Sequence, residues 1–524
     1  MALYRNGYFY HTPKDAFEHI SPGTLQHFGG NILSLLRQIL FSGSSYLRKS
    51  SSECFQEESR QNLTKTTYFD VGGVFMIYYS AETNAAFIVA LATGVLWSLF
   101  RNRRYRITGL SSIGVMLSLV LSVVGAIGAP LLLGFLGSSV LEKPMIWYSS
   151  PWLALLLYFP MSMAGILLAL FIASFVSTSN EAEFTSLFFL ISTVISFTLV
   201  LAGFYFQVGA IFFGIMYSTC FCIAAGSKNP ESRYFMFSGP LFLISDICFQ
   251  FLETIVPIAG RAGLKPVDMI VSGFCGLIGV FLLLPLLPLC RFKFTRKQLI
   301  LISFTLMLFS VGVFGVLSMR ESVYSPASPK RVLVEHVNTM DSEESYFLFI
   351  PSDNIPFTTE TMPSEAFPQL SAYTRKFHSK LPTIPCLNPE EGKRWEMKAN
   401  RASVSIEPSV QVEKEESWAI HVSAPHAFNI EITISSASYI QSCDIAQEIE
   451  SFSDSDEFKI RLFDGDGTNN FAFHVAVSGK VKVDMFINYL EEDTSAPINQ
   501  LIDSLPNSFV PVGCITFHKT FLLY

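Results

Sequence analysis

The chain has 524 residues, half of them hydrophobic, and a formal net charge of −7. With that much apolar residue, a wholly soluble globule is excluded; with an acidic balance and scattered cations, there is no nucleic-acid footprint. Nine cysteines do not define a disulfide framework: Cys220, Cys222, Cys248, Cys275 and Cys290 fall in or beside apolar runs, where small soft side chains pack well.

Taken in order, the chain opens with Asn6-Gly-Tyr-Phe-Tyr-His-Thr12, which reads as the end of a strand and a turn. Ser21-Pro22 then predicts a helix start, with a serine cap and a proline in the first turn. Phe28, Ile32, Leu35, Leu36 and Ile39 form one apolar stripe on that helix. The short segment before it is too small to supply the surface such a stripe needs. No secretory signal precedes it, since Met1–Tyr10 lacks an apolar core of the required length.

From Asn84 to Met319 apolar runs of about 20 residues follow one another, the length a helix needs to cross ~30 Å of hydrocarbon. About eight are expected, near 84–100, 108–136, 152–176, 184–202, 206–225, 237–258, 267–289 and 298–319. The second is long enough to tilt or break at Gly125, Gly128 and Pro130. Hydrocarbon offers the backbone no water, so such runs must be helices. The odd-numbered breaks carry Arg101, Arg103, Arg104 and Arg106, then Lys228 and Arg233, then Arg291, Lys293, Arg296 and Lys297. The even-numbered breaks carry only Lys143, Arg261 and Lys265. That bias places the odd breaks in the cytosol and both flanks in the lumen of a secretory membrane. Asn62-Leu-Thr64 is then a lumenal glycosylation sequon.

Within the sixth run, Asp246 and Glu253 stand seven residues apart on one helical face. Intramembrane carboxylates are costly, so the pair is a candidate polar site for a proton or ion relay, against a structural contact with a neighbouring helix. Cys220-x-Cys222 diverges around a helix and is a poor metal site.

After Met319 the composition turns polar and β-prone. Val332, Val334 and His336 alternate with Arg331, Leu333 and Glu335, and Ile430, Ile432 and Ile434 alternate with Glu431 and Thr433. Phe471–Val477, the Ser478-Gly479 turn and Val481–Ile487 read as a hairpin. Short strands with such punctuation predict an antiparallel β-sandwich. Asp464–Asn470 fails the EF-hand pattern, since its sixth and twelfth places hold Asn469 and Val475, so a turn is expected. A Cys386–Cys443 disulfide is open in an oxidising lumen.

The motif Tyr10-His11-Thr12-Pro-Lys-Asp15, followed by Gly23-Thr24-Leu25-Gln26-His27 and Asn31-Ile32-Leu33, resembles the last segment of co-catalytic zinc aminopeptidases. More narrowly, with Tyr68-Phe69-Asp70-Val71 and Trp147-Tyr148-Ser149-Ser150-Pro151-Trp152, the chain resembles the endoplasmic reticulum metallopeptidase 1 (Felix-ina) family, from its last zinc-ligand motif to the C-terminus. The resemblance implies a multi-pass endoplasmic reticulum membrane protein with a lumenal β-rich tail and a remnant of an α/β zinc peptidase domain. It also implies a peptide substrate, hydrolysed only where the peptidase domain is complete. By that resemblance His11 is the final histidine ligand of a two-zinc site and Asp15 supports its turn. Two zinc ions need several ligands and a base, and the family's other ligand motifs have no counterpart before His11. The chain is therefore expected to lack catalysis and not to bind zinc at two sites.

The resulting division is 1–45 for the peptidase remnant, 46–83 for a lumenal linker, 84–319 for the membrane helices and 320–524 for the tail. Nothing in the sequence suggests that the tail folds back to the His11 turn. The alternatives are a non-catalytic membrane scaffold binding lumenal proteins, and a carrier using Asp246 and Glu253.

Overall fold

The structure, a computed structural model, describes residues 7–41 apart from 11, 13 and 21, 66–101 apart from 72–74, 109–261 apart from 177–179, 207–210 and 228, and 266–355 apart from 343, 344 and 354. In the tail it further describes 371–373, 394–398, 408–435 apart from 415, 416, 426 and 428, then 440–443, 457–462, 470–490 and 509–523. The chain divides into two compact units. One holds Ile20–Val256 and Pro266–Glu321; the other holds Asn6–His19, Pro257–Lys265 and Ser322–Tyr524.

The helical unit begins with α1 (Thr24–Phe41) and an antiparallel hairpin, β1 (Thr66–Val71) and β2 (Phe75–Ser80). Helix α1 opens at Thr24 rather than at Pro22, because Gly23 takes a left-handed φ of 83° that no helix can include. Its apolar residues Leu25, Ile32, Leu35, Leu36 and Leu40 are exposed. Then follow α2 (Ala81–Arg101), α3 (Gly109–Phe135), α4 (Pro151–Ala173), α5 (Glu181–Tyr205), α6 (Ile211–Gly226), α7 (Pro230–Phe235), α8 (Ser238–Ala259), α9 (Val267–Leu283), α10 (Leu287–Lys293) and α11 (Arg296–Ser318).

Among the described residues seven helical stretches are long and apolar enough to cross a membrane. The fifth expected run yields only Ile211–Gly226, 16 residues and about 24 Å. Local chemistry sets the helix starts. Asn180 accepts the Glu183 amide at 2.9 Å, and Thr295 with Gln298 closes a reciprocal capping box on α11. Lipid-facing positions remain apolar: Leu96, Val120, Leu199, Leu301 and Val316 are all more than half exposed. Such a surface needs hydrocarbon as its solvent.

The expected break at Gly125, Gly128 or Pro130 does not occur. Helix α3 runs through all three and loosens only at Leu136–Val140, where it becomes a π turn. The glycines serve contact instead. A Cβ on Gly165 of α4 would sit 2.0 Å from the Gly125 carbonyl oxygen, so the two backbones touch. Pro130 has no N–H to offer the Ala126 carbonyl, and Gly276 of α9 approaches that carbonyl so closely that a Cβ would lie 2.8 Å from it. Helices α3, α4 and α9 thereby form the close-packed centre of the unit.

The helix ends fix the relative directions. The Arg296 guanidinium donates to the Ser174 carbonyl at 2.7 Å, which puts the start of α11 at the end of α4. The Arg320 guanidinium donates to the Ser149 hydroxyl at 3.1 Å, which returns α11 to the start of α4. Asp268, in the first turn of α9, meets Met145 and Trp147 just before α4, so α4 and α9 start at the same end.

The tail is built from two sheets. One has eight strands in the order β11-β9-β13-β14-β3-β4-β6-β5 and the other four in the order β10-β12-β8-β7. Their ranges are β3 (Lys330–Thr339), β4 (Ser345–Pro351), β5 (Ser371–Tyr373), β6 (Arg394–Lys398), β7 (Ser409–Lys414), β8 (Trp418–Ser423), β9 (Asn429–Ser435), β10 (Ile440–Cys443), β11 (Glu457–Leu462), β12 (Asn470–Val477), β13 (Val481–Leu490) and β14 (Phe509–Leu523). One core joins the sheets: Ile430, Ile432, Ile434, Val483, Met485 and Ile487 from the larger meet Ile420, Val422, Phe473 and Val475 from the smaller. That is a sandwich, with two departures from expectation. First, β14 pairs with β3 in parallel, so the large sheet is mixed. Secondly, β12 and β13 are not a hairpin, since β12 pairs with β8 and β10 while β13 pairs with β9 and β14. Ser478-Gly479 carries the chain from one sheet to the other, which lets both apolar faces turn inward. The alternation in β3 also conceals its setting. As an interior strand it is buried on both faces from Lys330 to Asn338.

Candidate functional site

The expected ligand turn lies in the tail's unit, not apart from it. Gly7–Tyr10 forms turns rather than a strand end. Tyr8 and Phe9 are buried, and burial pushes the Tyr8 phenol well above its ordinary range. Phe9 stacks on His19 with ring centres 3.7 Å apart, the Thr12 hydroxyl donates to the Phe9 carbonyl at 2.6 Å, and the Asp15 amide donates to the Thr12 carbonyl at 2.9 Å. The Asp15 side chain is exposed. The Arg331 guanidinium of β3 donates to the Tyr10 carbonyl, and the Arg261 guanidinium lies over the Tyr10 ring at 4.8 Å.

His11 itself lies outside the described residues, as do Asn62, Cys386, the Asp464–Asn469 stretch and the side chain of Cys443. His27 contacts Asn31 at 3.2 Å on α1. Among the described residues no three His, Cys, Asp or Glu side chains converge to hold a metal ion.

Asp246 and Glu253 do share α8, and both are half-buried. Asp246 accepts from the Gln250 side-chain amide one turn away, at 2.9 Å, so its oxygen is met within its own helix.

A third carboxylate, which sequence reasoning passed over, is far more enclosed. Asp268 is 3 % exposed and accepts the Met145 amide at 3.1 Å on each oxygen and the Trp147 indole N–H at 2.8 Å. The Tyr158 hydroxyl stands 3.5 Å away, at the outer limit of a hydrogen bond. Met145 adopts a left-handed φ of 56°, uncommon for a side chain of its shape, and the carboxylate holds its amide there. Met145, Ile146, Trp147 and Tyr148 are all buried, so this connection is part of the core. The available signal was an aspartate opening an apolar run, together with the Trp147 motif more than a hundred residues earlier.

Outside the membrane helices two polar clusters order the tail. Lys330 is 1 % exposed; its ammonium donates to Asp353 at 2.8 Å, to the Ile355 carbonyl at 2.8 Å and to the Tyr324 hydroxyl at 3.1 Å. The Tyr324 hydroxyl donates to the other Asp353 oxygen at 2.8 Å. Burial pulls the Lys330 ammonium below its ordinary range, and Asp353 opposes that. On β13, burial raises the Asp484 carboxyl, but hydrogen bonds from His518, Lys482 and Thr520 outweigh it and hold the group well below the usual carboxylate range.

Comparison with known proteins gives the sites their context. A Schizosaccharomyces pombe protein named endoplasmic reticulum metallopeptidase 1 is 24 % identical over 361 residues, covering 68 % of this chain and 41 % of its own length. The Mus musculus protein of that name is 23 % identical over 368 residues, covering 64 % of this chain and 39 % of its own. A Caenorhabditis elegans metallopeptidase 1-A is 38 % identical over 114 residues, covering 21 % of this chain and 12 % of its own. No family model and no solved structure matches. The chain spans about two fifths of the length of the yeast and mouse relatives. Its homologues are proteins named endoplasmic reticulum metallopeptidase 1.

Proposed function

We propose that the chain forms the membrane and lumenal-tail portion of an endoplasmic reticulum zinc metallopeptidase that cleaves peptide bonds. The observation that carries this reading is the similarity to relatives of that name across 68 % of the chain. In it, His11 supplies one zinc ligand of a two-metal site that needs several further ligands and a base. With His11 alone matching that set, the chain by itself is expected not to hydrolyse peptides.

The helix directions support the expected topology. Helices α4 and α9 start at one end, so an odd number of crossings must separate the far end of α4 from the start of α9. Helices α5, α6 and α8 would supply three, which supports reading the shorter α6 as a crossing beside the seven membrane-length helices. Arg296, at the opposite end from Asp268, then belongs to the cytosolic side with Arg291, Lys293 and Lys297. The Arg261 connection and the tail lie in one unit, which suits a shared lumenal side.

The test is metal analysis of the purified chain beside aminopeptidase and dipeptidase assays. Fewer than two zinc equivalents and no turnover are expected. Near two equivalents, with turnover abolished by His11→Ala, would overturn the reading. Topology is tested separately: Asn62 should carry a glycan in sealed microsomes and resist added protease.

A further inference from the structure

The Gly7–His19 turn is held at three separate points within one unit. Its apolar residues Tyr8 and Phe9 are buried. A charge-bearing donor, Arg331, grips the Tyr10 carbonyl from the second residue of β3. A second guanidinium, Arg261, from the connection between α8 and α9, covers the Tyr10 ring. Arg331 is 7 % exposed, and a guanidinium so enclosed is stable only where its donors are matched, so its geometry is tightly specified. Its place in the strand is equally specified: Arg331 is opposite Val510 of β14, and its carbonyl receives the Ser352 amide at 3.1 Å.

We propose that Arg331 and Arg261 are positioning residues that clamp the backbone immediately before His11. The clamp makes the tail and the α8–α9 connection part of the support for the ligand turn. A shift of either would then displace that turn. The inference rests on the family reading only for the role of His11. The contacts themselves are independent of it.

The experiment is hydrogen exchange on the full chain in nanodiscs, following peptides that cover residues 7–19. Loss of a charge-assisted hydrogen bond should speed exchange there about tenfold or more in Arg331→Ala. Arg331→Lys, which retains a donor, should recover part of that loss, and peptides from β13 should be unchanged. If Arg331→Ala disrupts the sheet, Arg261→Ala decides, because it alters no strand; several-fold faster exchange in 7–19 is expected. Unchanged exchange in 7–19 with an intact sheet overturns the proposal. A repeat with added zinc ion separates the two ideas. Extra protection of 7–19 in the wild type, reduced in Arg331→Ala, supports the clamp as a support for a ligand. No zinc-dependent protection in any form refutes His11 as a ligand in this chain and leaves the exchange result to decide the clamp.

Discussion

Replacing Asp353 by alanine tests how the tail is pinned at the start of β3. The substitution removes the carboxylate that accepts from the Lys330 ammonium, the Tyr324 hydroxyl and the Ile355 amide. Lys330 cannot turn to water, being 1 % exposed. Breaking one side of a buried pair costs about 3–5 kcal/mol, because the remaining charge is stranded. In a unit of this size each kcal/mol moves the midpoint by about 2–4 °C, so the loss should be roughly 6–20 °C. The Ile355 carbonyl and the Tyr324 hydroxyl remain as partners and place the effect toward the lower end. The pH dependence follows from the direction of the Lys330 shift. Its folded pKa is below the unfolded value, so the unfolded chain binds more protons between the two, and stability rises with pH across that window. Without Asp353 the folded value falls further, so the variant should gain more than the wild type on going from neutral to alkaline pH. Thermal melts of the full chain in detergent, with exchange in β3 and β4 as the local readout, measure this. The double variant Lys330→Met/Asp353→Ala should recover most of the loss. A single variant within about 1 kcal/mol of wild type, or a double variant no better than the single, would refute the buried-pair argument.

Three further outcomes follow from the geometry. Gly165→Ala should prevent close assembly of α3 and α4, because its Cβ would sit 2.0 Å from the Gly125 carbonyl, whereas Gly128→Ala meets nothing within 4 Å and should be tolerated; yield of monodisperse protein distinguishes them. Asp268→Ala leaves the Met145 amide and the Trp147 indole without their acceptor at about 1–3 kcal/mol each, so cysteine labelling at position 146, buried in the same connection, should rise in an Ile146→Cys background; unchanged labelling would show that Asp268 does not hold the connection. The Asp484 carboxyl is held below its unfolded value of about 3.9, so its contribution is complete above that pH and is lost only as the pH falls through the folded value. Asp484→Asn should therefore lose stability at neutral pH and show less additional loss in acid than the wild type, as read from exchange in β13 and β14.

The sequence by itself determined the apolar runs, their order and the change to strands after Met319, because hydrocarbon length and the two-residue period of a sheet are local properties. It also located the His11 motif and the asymmetry of the basic residues. Local patterns could not decide partners. The Ser478-Gly479 turn has the same composition whether its strands pair or part, and only the shared core of Phe473, Val475, Val483 and Met485 sends them to different sheets. Gly125 and Pro130 signal a break when read singly, yet α3 stays whole because Gly165 and Gly276 approach it there. Asp268 is unremarkable until Met145 and Trp147, more than a hundred residues earlier, are folded against it. The same holds for Tyr10 and Arg331, which are 321 residues apart along the chain and in hydrogen-bond contact in the fold. Burial turns such distant pairs into requirements, since a polar group removed from water must find its partner wherever the chain has placed one.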